Sequence, residues 1–158
     1  MENGTNDSPT VRLPPPVPYL AAVLAGWVLD SFLLPLPLSI SPPLRITGAT
    51  ISILLGLTAL ALAGRLFTQS DEDPTPWSPT TEIISTGIYR FTRNPMYLGL
   101  ALIQVGLAIA MSSLWVLALL PPVLLAIYAT AIRYEESYLE RKFGNSYLEY
   151  KRSVRRWI

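Results

Sequence analysis

Four long apolar stretches, separated by polar and turn-rich segments, set the plan of this chain. The first covers residues 17–38, with Trp27 and Asp30 inside it and Pro35 and Pro37 near its end. The second covers 45–67, the third 95–111 and the fourth 114–134. Their apolar residues come in runs rather than in strict alternation, and each run approaches the roughly 20 residues a helix needs to cross a bilayer. The pattern predicts an all-α integral membrane protein with about four transmembrane helices, the third and fourth forming a helical hairpin. Pro95 falls in the first turn of the third helix, where a missing N–H costs nothing. Pro121 and Pro122 interrupt the fourth and predict a kink. Gly48 and Gly56 leave room for close packing of the second helix against a neighbour.

The segments between the spans are equally marked. Residues 1–16 are polar and then proline-rich, a predicted flexible tail; residues 17–158 read as a single domain. Residues 68–87 carry Asp71, Glu72, Asp73 and prolines around Trp77, too long a loop for a simple turn and one expected to cover something. Residues 135–158 are charged, aromatic and helical in pattern, with a break at Gly144-Asn145.

Composition narrows the chemistry. The chain is 51% apolar and 15% charged, against about 25% charged in soluble domains. It lacks cysteine and histidine, which removes disulfides, thiolate chemistry and the commonest general base and metal ligand. Catalysis must rest on carboxylates, tyrosines, arginines, backbone groups or a cofactor. No metal-ligand spacing, phosphate loop or dinucleotide fingerprint is present, and no basic surface suits nucleic acid. The N-terminus has no basic region ahead of a small-residue cleavage site, so no removable signal peptide is expected. Net charge is only +1, but nearly all Lys and Arg fall on one side of a four-span arrangement, with Arg45 alone on the other. The positive-inside rule then puts both termini and the 68–94 loop in the cytoplasm, with the cytoplasmic membrane as the expected host bilayer.

Two polar segments thereby meet at one membrane face: TGIYRFTRNPMY at 86–97 and EESYLERKFGNSYLEYKRSVRRW at 135–157. In the first, Tyr89, Arg93, Asn94, Pro95 and Tyr97 form a dense polar-aromatic cluster, which fits either a site or ordinary interface anchoring. In the second, Glu135 and Glu136 point about 100° apart on a helix. They fit either a pocket or solvated charges paired with Arg133 or Arg141. The tail's Tyr147, Tyr150, Lys151, Arg152, Arg155, Arg156 and Trp157 suit anionic headgroups. Asp30, an ionisable group inside a span, is a functional candidate by default, and equally a hydrogen-bonded structural residue near a helix end.

Taken together, TGIYRFTRNPMYLG and, about forty residues on, EESYLERKFGNSYLEYKRSVRRW resemble the isoprenylcysteine carboxyl methyltransferase family, whose C-terminal pattern the phospholipid methyltransferases share. The resemblance covers roughly residues 81–157. It implies an S-adenosylmethionine-dependent methyltransferase acting at the membrane on a lipophilic acceptor. By the same resemblance Thr81, Glu82, Ile83, Ile84, Tyr89, Asn94, Pro95, Met96, Tyr97, Glu135 and Glu136 bind the cofactor, and Arg93, Asn94 and Glu135 are the catalytic candidates. Two positions depart from the pattern. The family's histidine is Asn94, which keeps hydrogen bonding without a titratable proton. Members that methylate a carboxylate carry an arginine one turn before the glutamate. That position is Ala131, and Arg133, two residues on, is the candidate substrate-binding residue. The acceptor is thus a carboxylate by resemblance, with an amine or a thiol as alternatives, and a non-catalytic lipid- or partner-binding membrane protein as the reading outside enzymes.

Overall fold

The structure, a computed structural model, describes residues 8, 9, 11, 13–75 and 77–157. Residues 1–7 of the expected tail lie outside the described residues. Pro9 and Pro15, from its later part, are buried. Among the described residues the fold is helical and has no strand, only an isolated bridge between Pro37 and Ser113.

Helix α1 (Pro16–Val28) widens at its end into a π-helical turn, Leu29–Leu33. Leu34 is extended (φ −147°, ψ 99°), so the first apolar helix stops short of the expected residue 38. Pro35 and Pro37 cannot continue it, and Asp30 fixes the break. One carboxylate oxygen accepts from the Leu36 N–H at 3.0 Å, and the other accepts from the Ser113 hydroxyl. Asp30 is therefore a structural clasp between the end of α1 and the turn after the third helix. Ser112, at φ 54°, donates its hydroxyl to the Leu38 carbonyl in the same turn.

Helix α2 (Pro42–Gln69) returns over 28 residues, and α3 (Pro95–Ala110) runs beside it. Their contact rests on glycine. A Cβ on Gly56 would lie 2.5 Å from the Gly99 carbonyl oxygen, and one on Gly106 would lie 2.5 Å from the Ile53 side chain. Without an aqueous driving force inside a bilayer, such close backbone approach is what holds helices together. Gly48 differs from this expectation: a Cβ there would meet Ile109 at an ordinary 3.8 Å.

The last apolar stretch is α4 (Leu114–Ala118), α5 (Leu120–Ile127), a π-helical turn Tyr128–Ile132, and α6 (Arg133–Phe143). The two prolines open α5 after a break at Leu119, where a kink alone was expected. At the other end the helix runs on without a break past residue 134, where the apolar stretch ends, to Phe143, so the helix expected from residue 135 continues the span and carries Glu135 and Glu136. Gly144, at φ 54°, turns the chain into α7 (Asn145–Ser153).

Three of the described helical runs are long and apolar enough to cross a membrane: Pro16–Leu33, Pro42–Gln69 and Leu114–Phe143. The third expected span, α3, is apolar but only 16 residues long. Large apolar side chains such as Phe32, Leu44, Ile46 and Leu125 point outward, while the interior is built largely of alanine, valine, isoleucine and tyrosine. That inversion suits a hydrocarbon solvent; the protein is a membrane protein.

Candidate active site

The corner between α2 and α3 begins with a 3₁₀ turn, Gly87–Arg90. Gly87 has φ 56°, and a Cβ there would lie 2.9 Å from the Leu66 side chain, so only glycine suits the approach. The turn buries Tyr89 against Phe67, their ring centroids 6.0 Å apart. Asn94 then leads into α3, with Pro95 in its first turn as the sequence predicts.

The C-terminal segment folds back over this corner. The Arg93 N–H donates to the Arg155 carbonyl at 3.0 Å, and the Tyr150 hydroxyl donates to the Tyr89 carbonyl at 2.8 Å. The Arg156 carbonyl accepts twice, from the Thr92 hydroxyl at 2.9 Å and from the Asn94 side-chain amide at 3.1 Å. Trp157 packs against the core cluster that contains Tyr97 and Ala131. The Arg156 guanidinium also lies 4.9 Å from the Tyr128 ring centroid.

The adjacent glutamates divide their work. Glu136 is buried and takes a bidentate pair from Arg156, at 2.9 and 2.8 Å. Arg93 lies 3.1 Å away on the same carboxylate, and these two side chains are 8% and 10% exposed. The hydrogen bonds from Arg156 to Glu136 hold that guanidinium's pKa above its ordinary value. Burial, reinforced by the Glu136 charge, pushes the neighbouring Tyr147 hydroxyl up to about 12. Glu135 turns the other way and accepts a hydrogen bond from the Tyr97 hydroxyl. The Tyr97 carbonyl in turn accepts from the buried Tyr19 hydroxyl at 2.9 Å. Neither glutamate pairs with Arg133 or Arg141 in the manner sequence reasoning allowed. Arg133 is exposed and lies 5.0 Å from the Tyr134 ring centroid.

Glu135 and Tyr97 face a cavity of about 540 Å³. Of the residues implicated from sequence, Tyr89, Arg93, Asn94, Pro95, Met96, Tyr97 and Glu135 line it. Thr81, Glu82, Ile83, Ile84, Glu136 and Arg133 are not in its wall. The Thr81 amide and hydroxyl and the Glu82 amide are instead gathered onto one oxygen of buried Glu72. The Thr80 amide donates to the Tyr138 hydroxyl at 3.1 Å. Glu82 itself is exposed at the loop surface, and Ile83 and Ile84 are half-buried.

The sequence reading missed part of the wall. Pro9, Pro14, Pro15 and Pro16 close one side, and the loop contributes Asp73, Pro74, Thr75, Trp77, Ser78 and Thr80. Leu60, Phe67, Leu100, Tyr138 and Leu139 complete it. Asp73 accepts from the Thr75 N–H and the Ser78 hydroxyl, bonds that hold its carboxyl below the usual range. The length and polarity of the loop were the available signal; nothing local placed it over this cavity.

The chemistry of the wall suits an amphiphilic, zwitterionic guest. Its volume lies within the roughly 300–1,000 Å³ of small-molecule sites. Glu135 supplies a carboxyl group and Arg93 a cation. Two buried Arg93 nitrogens, Nε and Nη1, have no hydrogen-bond partner among the described residues. Nη1 is close enough to Glu136 for ion pairing but off the line of a hydrogen bond. Tyr89, Trp77 and Tyr138 offer aromatic faces, which attract cations.

Comparison with known proteins fits this arrangement. The phospholipid methyltransferase family model matches residues 45–146. Protein-S-isoprenylcysteine O-methyltransferase B of Arabidopsis thaliana is 31% identical over 110 residues, 68% of this chain and 55% of that protein. Protein-S-isoprenylcysteine O-methyltransferase A of the same plant is 31% identical over 96 residues, 61% of this chain and 48% of that protein. The Saccharomyces cerevisiae protein-S-isoprenylcysteine O-methyltransferase is 33% identical over 72 residues, 46% of this chain and 30% of that protein. The chain spans about half the length of the two plant relatives and less of the yeast one. No solved structure matches it. The match runs from the second apolar helix through the first motif segment and into the second, and covers well over half of the chain, which therefore belongs to the phospholipid methyltransferase family.

Proposed function

We propose that this protein is an S-adenosylmethionine-dependent methyltransferase that works at the membrane on a small lipophilic acceptor. The observation that carries the reading is the Glu135–Tyr97 pair facing a cavity whose wall is built from the 89–97 motif and α6. When bound, the cofactor supplies an electrophilic methyl group on a sulfonium. Glu135 would hold its cationic amino group, and the free Arg93 donors its carboxylate. Tyr89, Asn94, Pro95, Met96 and Tyr97 would form the rest of its bed. Positioning of the two reactants and exclusion of water are then the chief contributions of the protein. Asn94 holds the Arg156 carbonyl and carries no titratable proton, so no proton transfer is assigned to it.

In this reading α1, α2, α3 and the run from α4 to α6 are four membrane crossings, with α3 and the last run as the hairpin and both chain ends on the cytosolic side. The cofactor then arrives from the cytosol and the acceptor from the bilayer. By likeness to the isoprenylcysteine O-methyltransferases the acceptor is a carboxylate. A second reading, an amine or thiol acceptor, is favoured by one observation. Ala131 is fully buried in the core cluster and Arg133 lies outside the cavity, so among the described residues no arginine stands one turn before Glu135, where a carboxylate clamp would be.

The test is calorimetric titration of the purified chain in detergent with S-adenosylmethionine and S-adenosylhomocysteine. Saturable binding that weakens at least tenfold in Glu135→Gln is expected. Folded protein that binds neither compound would overturn the reading. With binding in hand, methyl transfer to farnesylcysteine, a long-chain amine and a long-chain thiol separates the acceptor classes.

A further inference from the structure

A second groove lies apart from the Glu135 cavity, on the outer side of the corner. It encloses about 560 Å³ between the last turns of α2 and the 3₁₀ turn that follows the loop. Its polar groups are Arg65, Gln69 and Arg90; its apolar surface comes from Leu62, Leu66 and Phe91. Among the described residues no carboxylate lines it. Both arginines are exposed, and neither has an ion-pair partner among the described residues. Phe91 is 76% exposed, the most outward of the large apolar side chains here.

Two unpaired guanidinium groups in one groove are an uncompensated positive charge, and a planar fork of donors is matched to phosphate oxygens. The groove also sits at the end of a 28-residue helix long enough to cross a bilayer, where basic side chains meet headgroups. An apolar residue as exposed as Phe91 beside that charge fits an acyl chain better than water. We infer that this groove binds an anionic phospholipid. Arg65 and Arg90 take the phosphodiester, Gln69 bonds the headgroup or ester oxygens, and Leu62 and Phe91 lie along the chains. This site depends neither on the methyl acceptor nor on the cofactor, since none of its residues lines the Glu135 cavity.

The test uses the full chain in a zwitterionic detergent, with thermal unfolding followed against added dioleoylphosphatidylglycerol or dioleoylphosphatidylcholine. Phosphatidylglycerol should raise the unfolding temperature at lower concentration than phosphatidylcholine. Arg65→Gln with Arg90→Gln should lower its apparent affinity about tenfold or more, whereas Arg141→Gln, outside the groove, should not. Phe91→Ser keeps both charges and should weaken the dioleoyl lipid several-fold while leaving a short-chain dihexanoyl phosphatidylglycerol nearly unaffected. It also stands as the independent variant if the double substitution does not fold. Equal protection by the two lipids would overturn the proposal, as would an unchanged preference for phosphatidylglycerol in the arginine variants or, where those do not fold, an unchanged affinity for the dioleoyl lipid in Phe91→Ser. Equal protection by glycerol phosphate or inorganic phosphate would mean a free-anion site and would overturn the lipid assignment.

Discussion

Glu135 and Glu136 are neighbours in sequence, yet conservative changes at the two should have opposite phenotypes. Glu136→Gln removes the charge that two guanidinium groups share. Arg93 is the costly one, because its side chain is 8% exposed and would keep its charge with no counter-ion. Breaking a buried pair by removing one partner costs roughly 3–5 kcal/mol. Glutamine still offers Arg156 an acceptor oxygen, and that arginine is 32% exposed, so the lower end, about 3 kcal/mol, is expected. In Glu135→Gln the amide oxygen can still accept from the Tyr97 hydroxyl, and the loss should stay near 1 kcal/mol. Unfolding in mixed micelles, followed by tryptophan fluorescence, measures both. Titration with S-adenosylhomocysteine gives the second axis. Glu136→Gln should be clearly less stable and bind with modest change under folding conditions; Glu135→Gln should be nearly as stable as the parent and bind poorly. Equal stability losses, or the reverse order, would refute the division of labour between the two carboxylates.

The α2–α3 contact gives a matched pair of glycines. Gly56→Ala forces a methyl against the Gly99 carbonyl and Ile103, and should cost about 1–3 kcal/mol in mixed-micelle unfolding. In Gly64→Ala the new methyl meets nothing within 4 Å, so that variant should be neutral or slightly more stable. Asn94→Ala leaves the Arg156 carbonyl still bonded to Thr92, so stability should fall by about 1 kcal/mol while cofactor affinity in the titration falls several-fold. Asp30→Ala strips the Leu36 amide and the Ser113 hydroxyl of their acceptor and should destabilise by about 1–3 kcal/mol with cofactor affinity unchanged. Lost binding in well-folded Asp30→Ala would show that the distant clasp also shapes the site.

Hydrophobic runs were enough to place the apolar helices, and the two motif segments were legible because their polar residues interrupt that pattern. Their ends were not. The first helix stops early because a side chain six residues back, Asp30, offers the Leu36 amide a partner, an outcome that depends on Ser113 arriving from elsewhere. The last helix runs past residue 134 because nothing in RYEESYLERKF breaks a helix once it has begun; only the drop in hydropathy suggested an end. Glu72 was one of three consecutive acidic residues and had no distinguishing mark. Its role comes from a return of the loop that brings the Thr81 and Glu82 amides onto it. The partners of Glu136 were equally hidden, since Arg93 and Arg156 are remote from it in sequence and nearer arginines were available.

The same distances explain how the site is held. Four backbone carbonyl or amide groups of the 89–94 corner and the 155–156 segment are tied directly across, through Tyr150, Thr92, Asn94 and the Arg93 amide. The family match ends at residue 146, so much of what fixes the matched motif lies in the eleven residues that follow, numbers 147–157. Arg93 cannot keep its place in the cavity wall unless Glu136 neutralises it, and Glu136 is paired on its other side by Arg156. The corner, α6 and the C-terminal segment therefore form one electrostatic unit. Truncation before Tyr147 would expose a buried guanidinium and an open corner together. Loss of the tail should accordingly abolish cofactor binding even though the last residue of the cavity wall is Leu139, in α6.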